Sequence, residues 1–188
     1  SPIYQRPIED GADIVLHSAT KYLAGHNDVL AGVVVTNSLE LYEKLFYNLN
    51  TTGAVLSPFD SYQLIRGLKT LSLRMERSTA NAQEIVSFLE QSPAVKEVLY
   101  TGRGGMISFK VADEKRIPHI LNTLKVFSFA ESLGGVESLI TYPTTQTHAD
   151  IPAEVRHSYG LTDDLLRLSI GIEDVRDLIE DLRQALEG

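Results

Sequence analysis

Two compact apolar runs, residues 12–17 and 29–36, stand on either side of the stretch Ser18-Ala19-Thr20-Lys21-Tyr22-Leu23-Ala24-Gly25-His26-Asn27-Asp28. That stretch is too polar and too rich in small residues for a core element, so it reads as a loop between two strands. Short apolar runs bounded by glycine and small polar residues suit the buried strands of a parallel sheet, and we expect one here. Asn37 followed three residues later by Glu40 reads as a capping box. Leu41, Leu45, Phe46 and Leu49 then recur at helical spacing, which predicts a helix after the second strand.

A second helix opens with Ser57 as N-cap, Pro58 at its first position and Asp60 in its first turn. Its stripe of Leu64, Leu68, Leu71 and Met75 continues through Ala82, Ile85, Val86 and Leu89 to about Gln91. This pattern predicts one long helix over 58–91, bent at Gly67 and joining two domains, 1–70 and 71–188. Beyond it, residues 95–100 and 106–111 flank Gly102-Arg103-Gly104-Gly105 as a hairpin. Ile117, Ile120, Leu121 and Leu124 mark a helix. Residues 126–130, 138–142 and 165–172 are strand candidates, and Val175, Leu178, Ile179, Leu182 and Leu186 stripe a last helix. The second part is therefore an α+β unit with helices on one face.

Composition removes several classes of function. The chain has 188 residues, 25 acidic against 17 basic, a net charge of −8 and no basic block, which argues against a nucleic-acid partner. No apolar run reaches the roughly 20 residues of a membrane span, and the start carries no signal-peptide pattern. The absence of cysteine excludes disulfides and thiolate metal sites and fits a cytoplasmic location. The chain opens without methionine and enters regular structure quickly, so we expect a C-terminal portion of a longer polypeptide.

Lys21 is the first residue with chemistry of its own. A lysine beside hydroxyl side chains at the end of a buried strand can serve as a Schiff-base amine, because partial desolvation disfavours the ammonium form. Ser18 and Thr20 could donate to a phosphate. By themselves these residues are also ordinary turn chemistry. The phosphate-loop pattern G-x-x-x-x-G-K-[ST] is absent. His26, Asn27 and Asp28 have no second histidine nearby, so we expect no metal site.

The run from Gly11 through Lys21 to His26, continuing as Asp28-Val29-Leu30-Ala31-Gly32, closely resembles the cofactor-lysine signature of the Cys/Met metabolism (transsulfuration) pyridoxal phosphate enzymes. That family includes cystathionine synthases and lyases, homoserine sulfhydrylases and methionine lyase. Ser57-Pro58-Phe59-Asp60 with Arg66-Gly67-Leu68-Lys69-Thr70 is similar to the family's interdomain helix. Ser132-Leu133-Gly134-Gly135-Val136-Glu137-Ser138 is similar to its substrate-facing loop, Thr147-His148-Ala149 to the turn that follows, and Leu166-Arg167-Leu168-Ser169-Ile170-Gly171-Ile172-Glu173-Asp174 to its closing strand.

The resemblance implies a fold-type I, aspartate aminotransferase-like architecture of α/β and α+β parts. The chain would supply the C-terminal part of the large domain (1–70) and the small C-terminal domain (71–188). It implies pyridoxal 5'-phosphate as cofactor, held by Lys21 as Schiff base and by Ser18 and Thr20 at the phosphate. It further implies an amino-acid substrate gripped at its α-carboxylate by Arg167 with help from Ser132, with Glu131 and Thr147 also contributing to the substrate site. The implied reaction is elimination or replacement of the β- or γ-substituent of a sulfur amino acid: an acid at Glu131 is seen in family enzymes acting at the γ-carbon, but it equally suits steering the distal ammonium of cystathionine in a β-lyase, or plain solvation. The implied assembly is a homotetramer, a dimer of active dimers. Arg167 also has a physical case, since strand alternation puts it and Ser169 on the face opposite Leu166, Leu168 and Ile170. One departure is the short connection before Gly104-Gly105-Met106, where many family members carry a longer segment. The family's ring-stacking tyrosine, phosphate loop and pyridinium-pairing aspartate all precede this segment, so the 188 residues alone are expected to be inactive. The alternatives are a non-catalytic or oligomerisation fragment of such an enzyme, or another fold-type I enzyme such as an aminotransferase.

Overall fold

The computed structural model describes all of residues 1–188, which divide into two compact units, 1–72 and 73–188. In the first unit β1 (Val15–Ser18) and β2 (Gly32–Val35) form a two-stranded antiparallel sheet, with Val15 opposite Val35 and Ser18 opposite Gly32. The expected parallel sheet is thus corrected. The expected burial is corrected as well, since most residues of β1 and β2 are exposed, Leu16 at 75%. An apolar run reports neither direction nor burial by itself, and here the connection carries no crossover helix and closes on itself through Ala31 O, which returns the chain antiparallel.

Helix α1 (Leu39–Thr52) is capped by Ser38, whose hydroxyl accepts from Leu41 N, and not by Asn37 as the capping-box reading had it. The Ser38 amide donates to Thr36 Oγ1, which fixes the entry one residue later than expected. Helix α2 (Pro58–Leu68) begins as expected, with Ser57 accepting from Asp60 N. The single helix over 58–91 is corrected to two, α2 and α3 (Leu71–Gln91). The break has a local cause. Lys69 N donates to Arg66 O and Thr70 N to Gly67 O, a tightened turn, and the Thr70 hydroxyl also donates to Gly67 O at 3.2 Å.

The second unit is built on a five-stranded sheet in the order β3-β4-β7-β6-β5. Its strands are β3 (Val95–Leu99), β4 (Met106–Val111), β5 (Ser128–Phe129), β6 (Leu139–Thr141) and β7 (Leu165–Ser169); all pairs are antiparallel except β5 with β6. Strand alternation separates the faces. Ile107, Phe109, Val111, Ile140, Leu166 and Leu168 pack with Ala82, Ile85 and Leu89 of α3, with Ile117 and Ile120 of α4 (Ile117–Thr123), and with Leu178, Leu182 and Ala185 of α6 (Val175–Glu187). The opposite face carries Ser108, Thr141, Arg167 and Ser169. A short helix, α5 (Ala153–Ser158), lies in a region where no helix was expected. No helix is long and apolar enough to cross a membrane.

Candidate functional site

In the first unit the sequence delivers Lys21 on an unusual turn. After β1 the chain makes one wide turn over Ala19–Leu23, closed by Ala24 N donating to Ala19 O at 2.9 Å. Lys21 leaves helical geometry within it, with φ −91° and ψ −127°, and is half-buried. Ala19, Leu23, Ala24 and Val29 pack with Leu64 of α2, so the turn rests on a small apolar base. Gly67 lets α2 come close, since a Cβ there would stand well inside contact distance of the Ala24 carbonyl.

The two hydroxyls beside Lys21 have different surroundings. The Thr20 hydroxyl accepts from Ala31 N at 3.0 Å and donates to Ala31 O at 3.3 Å, and the Ala19 and Thr20 amides both donate to that same carbonyl. Thr20 thereby closes the loop between β1 and β2. The Ser18 side chain is exposed and caps nothing. An exposed hydroxyl suits the phosphate of a pyridoxal cofactor, and a half-buried lysine amine suits its aldehyde. His26 Nδ1 lies 2.8 Å from Ala24 O, within its own turn.

In the second unit Arg167 sits in the middle of the open sheet face, opposite Ser108 on β4 and Thr141 on β6. Its Nη2 donates to Thr141 Oγ1 at 3.1 Å and to Ser132 O at 3.4 Å. Its Nε is buried with no acceptor in the chain. Burial lowers the guanidinium's proton affinity from its ordinary value, and the nearby Glu131 carboxylate opposes the shift. A half-buried arginine held on one side, with a donor left over, is a seat for an anion, and a carboxylate matches its fork. The structure therefore groups Arg167 with Ser132 and Glu131. Thr147 is exposed, and its hydroxyl lies 2.7 Å from His148 Nδ1.

Three residues here escaped the sequence reading as site members. Thr141 orients the guanidinium, Ser169 Oγ accepts from Gly134 N at 2.9 Å, and Glu173 binds both the amide and the hydroxyl of Ser138. Alternation along β6 and β7 gave the only available signal, because it aims Thr141 and Ser169 to the side of Arg167.

The model of the Cys/Met metabolism PLP-dependent enzyme family matches residues 1–187. The chain is 58% identical over 186 residues to a cystathionine gamma-synthase/O-acetylhomoserine (thiol)-lyase of Bacillus subtilis, covering 99% of this chain and 50% of that protein. It is 53% identical over 203 aligned positions to a cystathionine gamma-lyase of the same organism, covering all of this chain and 54% of that protein. Among solved structures, the cystathionine gamma synthase from Xanthomonas oryzae pv. oryzae in complex with aminoacrylate and cysteine superposes with a TM-score of 0.92 at 42% identity, covering 97% of this chain and 52% of that one. The chain spans about half the length of the curated relatives it matches.

Proposed function

The chain belongs to the Cys/Met metabolism PLP-dependent enzyme family, and from that premise we propose that Lys21 holds the cofactor covalently while Arg167 holds the substrate α-carboxylate. The family fixes the fold as fold-type I and the cofactor as pyridoxal phosphate. When bound, that cofactor supplies an electron sink for the charge that develops at the substrate Cα.

The chain's own residues do the rest. The Ser18 hydroxyl donates to the cofactor phosphate; Thr20, engaged by Ala31, holds the loop that presents Lys21. Lys21 Nζ would take the proton from the substrate Cα and return one to the product. Arg167 fixes the carboxylate through the guanidinium N–H groups that Thr141 and Ser132 O leave free, those two acceptors orienting the group through Nη2. Glu131 stands nearest the distal part of the substrate. Thr147 contributes to the same site from its turn.

We assign the reaction to the γ-carbon, as replacement or elimination of a sulfur or acyloxy substituent on a homoserine-type amino acid. Both relatives described above, at 58% and 53% identity, are named for reactions at the γ-carbon. A γ-reaction also needs a proton moved at Cβ, which Lys21 can carry after its work at Cα.

The observation that carries the proposal is the half-buried Arg167 guanidinium, tied on one side to Thr141 and Ser132 and left with an unpaired Nε. In the whole enzyme Lys21→Ala should abolish the yellow absorption of lysine-bound pyridoxal phosphate. Arg167→Ala should lower kcat/KM for an amino-acid substrate by about a hundredfold or more, mostly through KM. Retention of the yellow species without Lys21, or an unmoved KM without Arg167, would sink the respective assignment.

A further inference from the structure

Residues 131–138 form a strap that follows the end of β7 in alternating steps. Ser132 O accepts from Arg167 Nη2, Gly134 N donates to Ser169 Oγ at 2.9 Å, Val136 O accepts from Ile172 N at 2.9 Å, and Ser138 N donates to Glu173 Oε1 at 2.5 Å. The strap positions advance by two, as they would in a strand. Three of the four tethers, however, end on side chains of β7 and its continuation, not on a backbone ladder. The strap is thus positioned by side-chain length and chemistry.

Glu173 makes the strongest of these ties. Its second oxygen accepts from the Ser138 hydroxyl at 2.9 Å, and that hydroxyl accepts in turn from Gly171 N at 2.9 Å. Ser138 is fully buried, so a charged acceptor serves two donors that water does not reach. Asn81, also buried, donates to the carbonyls of Gly171 and Glu173 and fixes the backbone from which the carboxylate extends. The start of α6 does not need Glu173, because Asp174 caps that helix by accepting from Arg176 N. Gly171 completes the fit, since a Cβ there would collide with Val136 O.

We infer that Glu173 and Ser169 are positioning residues, which set where the 131–138 strap places Ser132 and Glu131 relative to the Arg167 guanidinium. The inference rests on the reading of Arg167 as the carboxylate clamp. Neither side chain touches the substrate. Each acts by holding the strap whose first residues do, so their loss loosens the seat of the carboxylate and the residue facing the distal group.

The test has two arms. In the 188-residue chain, hydrogen exchange of the 131–138 amides in Glu173→Ala and Ser169→Ala should accelerate about tenfold or more while the β4 and β7 core amides keep their protection. In the whole enzyme, Glu173→Ala should raise KM about tenfold with kcat within about twofold, and Glu173→Gln, which keeps the length and an acceptor, should recover most of the loss. Should Glu173→Ala fail to fold, Ser169→Ala carries the test alone, because its hydroxyl ties a single amide. Unchanged exchange of the strap in Ser169→Ala overturns the tether. An unmoved KM in Glu173→Ala, alongside a raised KM in Arg167→Ala, overturns the positioning role. If Arg167→Ala also leaves KM unmoved, the carboxylate reading has failed, and the exchange data still decide whether the strap is tethered.

Discussion

The two units bring apolar residues to the fold in different ways. The second encloses them: three helices close over one face of a five-stranded sheet, and Ile85, Ile107, Phe109, Ile140 and Leu168 lose all exposure. In the first, α1 buries none of its residues, and Leu16 on β1 and Tyr47 on α1 remain 75% and 70% exposed. Its base beneath Lys21 consists of five small or medium side chains with a few partly buried neighbours. The second unit therefore has a core that sustains it within these 188 residues, while the first holds Lys21 on a turn supported mainly by hydrogen bonds and one helix contact.

The largest expected effect tests this contrast directly. Phe109→Ala should cost about 3–5 kcal/mol in the second unit, the usual loss for removing a buried aromatic ring. Leu16→Ser should change the chain's stability by less than about 0.5 kcal/mol, because its side chain is exposed. Urea unfolding followed by hydrogen exchange in peptides from each unit separates the two. A Leu16→Ser cost as large as that of Phe109→Ala would break the comparison, since it would mean that the first unit's apolar face is covered in solution. Repeating Leu16→Ser in the whole enzyme sharpens it, because a cost that appears only there identifies the face as one buried by the remaining polypeptide.

Glycine gives an intermediate effect that bears on both units. Gly67 and Gly171 each stand where a Cβ would collide with a backbone carbonyl, of Ala24 and Val136 respectively. Substitution of either by alanine should cost about 1–3 kcal/mol as overpacking, but the responses should differ in extent. The strap at Val136 is tied on both sides by Ser169 and Glu173, so strain from Gly171→Ala should spread to Gly134 and Ser138. Strain from Gly67→Ala should stay in the turn around Lys21 and show as faster exchange of the Ala24 and Gly25 amides. Exchange that changes equally throughout the chain would contradict this localisation.

Much of this was legible from sequence where a local pattern carried it. The 102–105 hairpin, the Ser57 cap and the two faces of β7 follow from turn chemistry and alternation, and Arg167 was placed on the polar face by alternation alone. What was not legible depended on long-range partners or on subtle local competition. The antiparallel pairing of β1 and β2 turns on how the intervening loop folds, which an apolar run does not encode. The break between α2 and α3 arises because a threonine hydroxyl competes for one carbonyl in a sequence with good helix periodicity. Glu173 reaches Ser138 across 35 positions of sequence, and nothing local marks it as different from the helix-capping acid beside it. The lysine and its neighbours were found by resemblance, since their residue types alone are common in turns.

The smallest expected effect lies at the entry to α6 and depends on pH. Hydrogen bonds from the Arg176 side chain and then its backbone hold the Asp174 carboxyl well below the usual carboxylate range. A carboxyl depressed in the folded state adds stability above its unfolded value, near pH 4, and that contribution declines as the pH falls from there toward the folded value. Asn is an equally good N-cap, so Asp174→Asn removes the charge and keeps the cap. The melting temperature of the variant should lie slightly below that of the parent at neutral pH, and the gap should close as the pH drops below about 4. Both partners are substantially exposed, so added salt should shrink the gap at neutral pH as well. Protection in peptides from 1–72 should be the same in parent and variant throughout, because the pair belongs to the second unit. A gap that persists undiminished at low pH would show that Asp174 acts through its cap geometry and not through its charge.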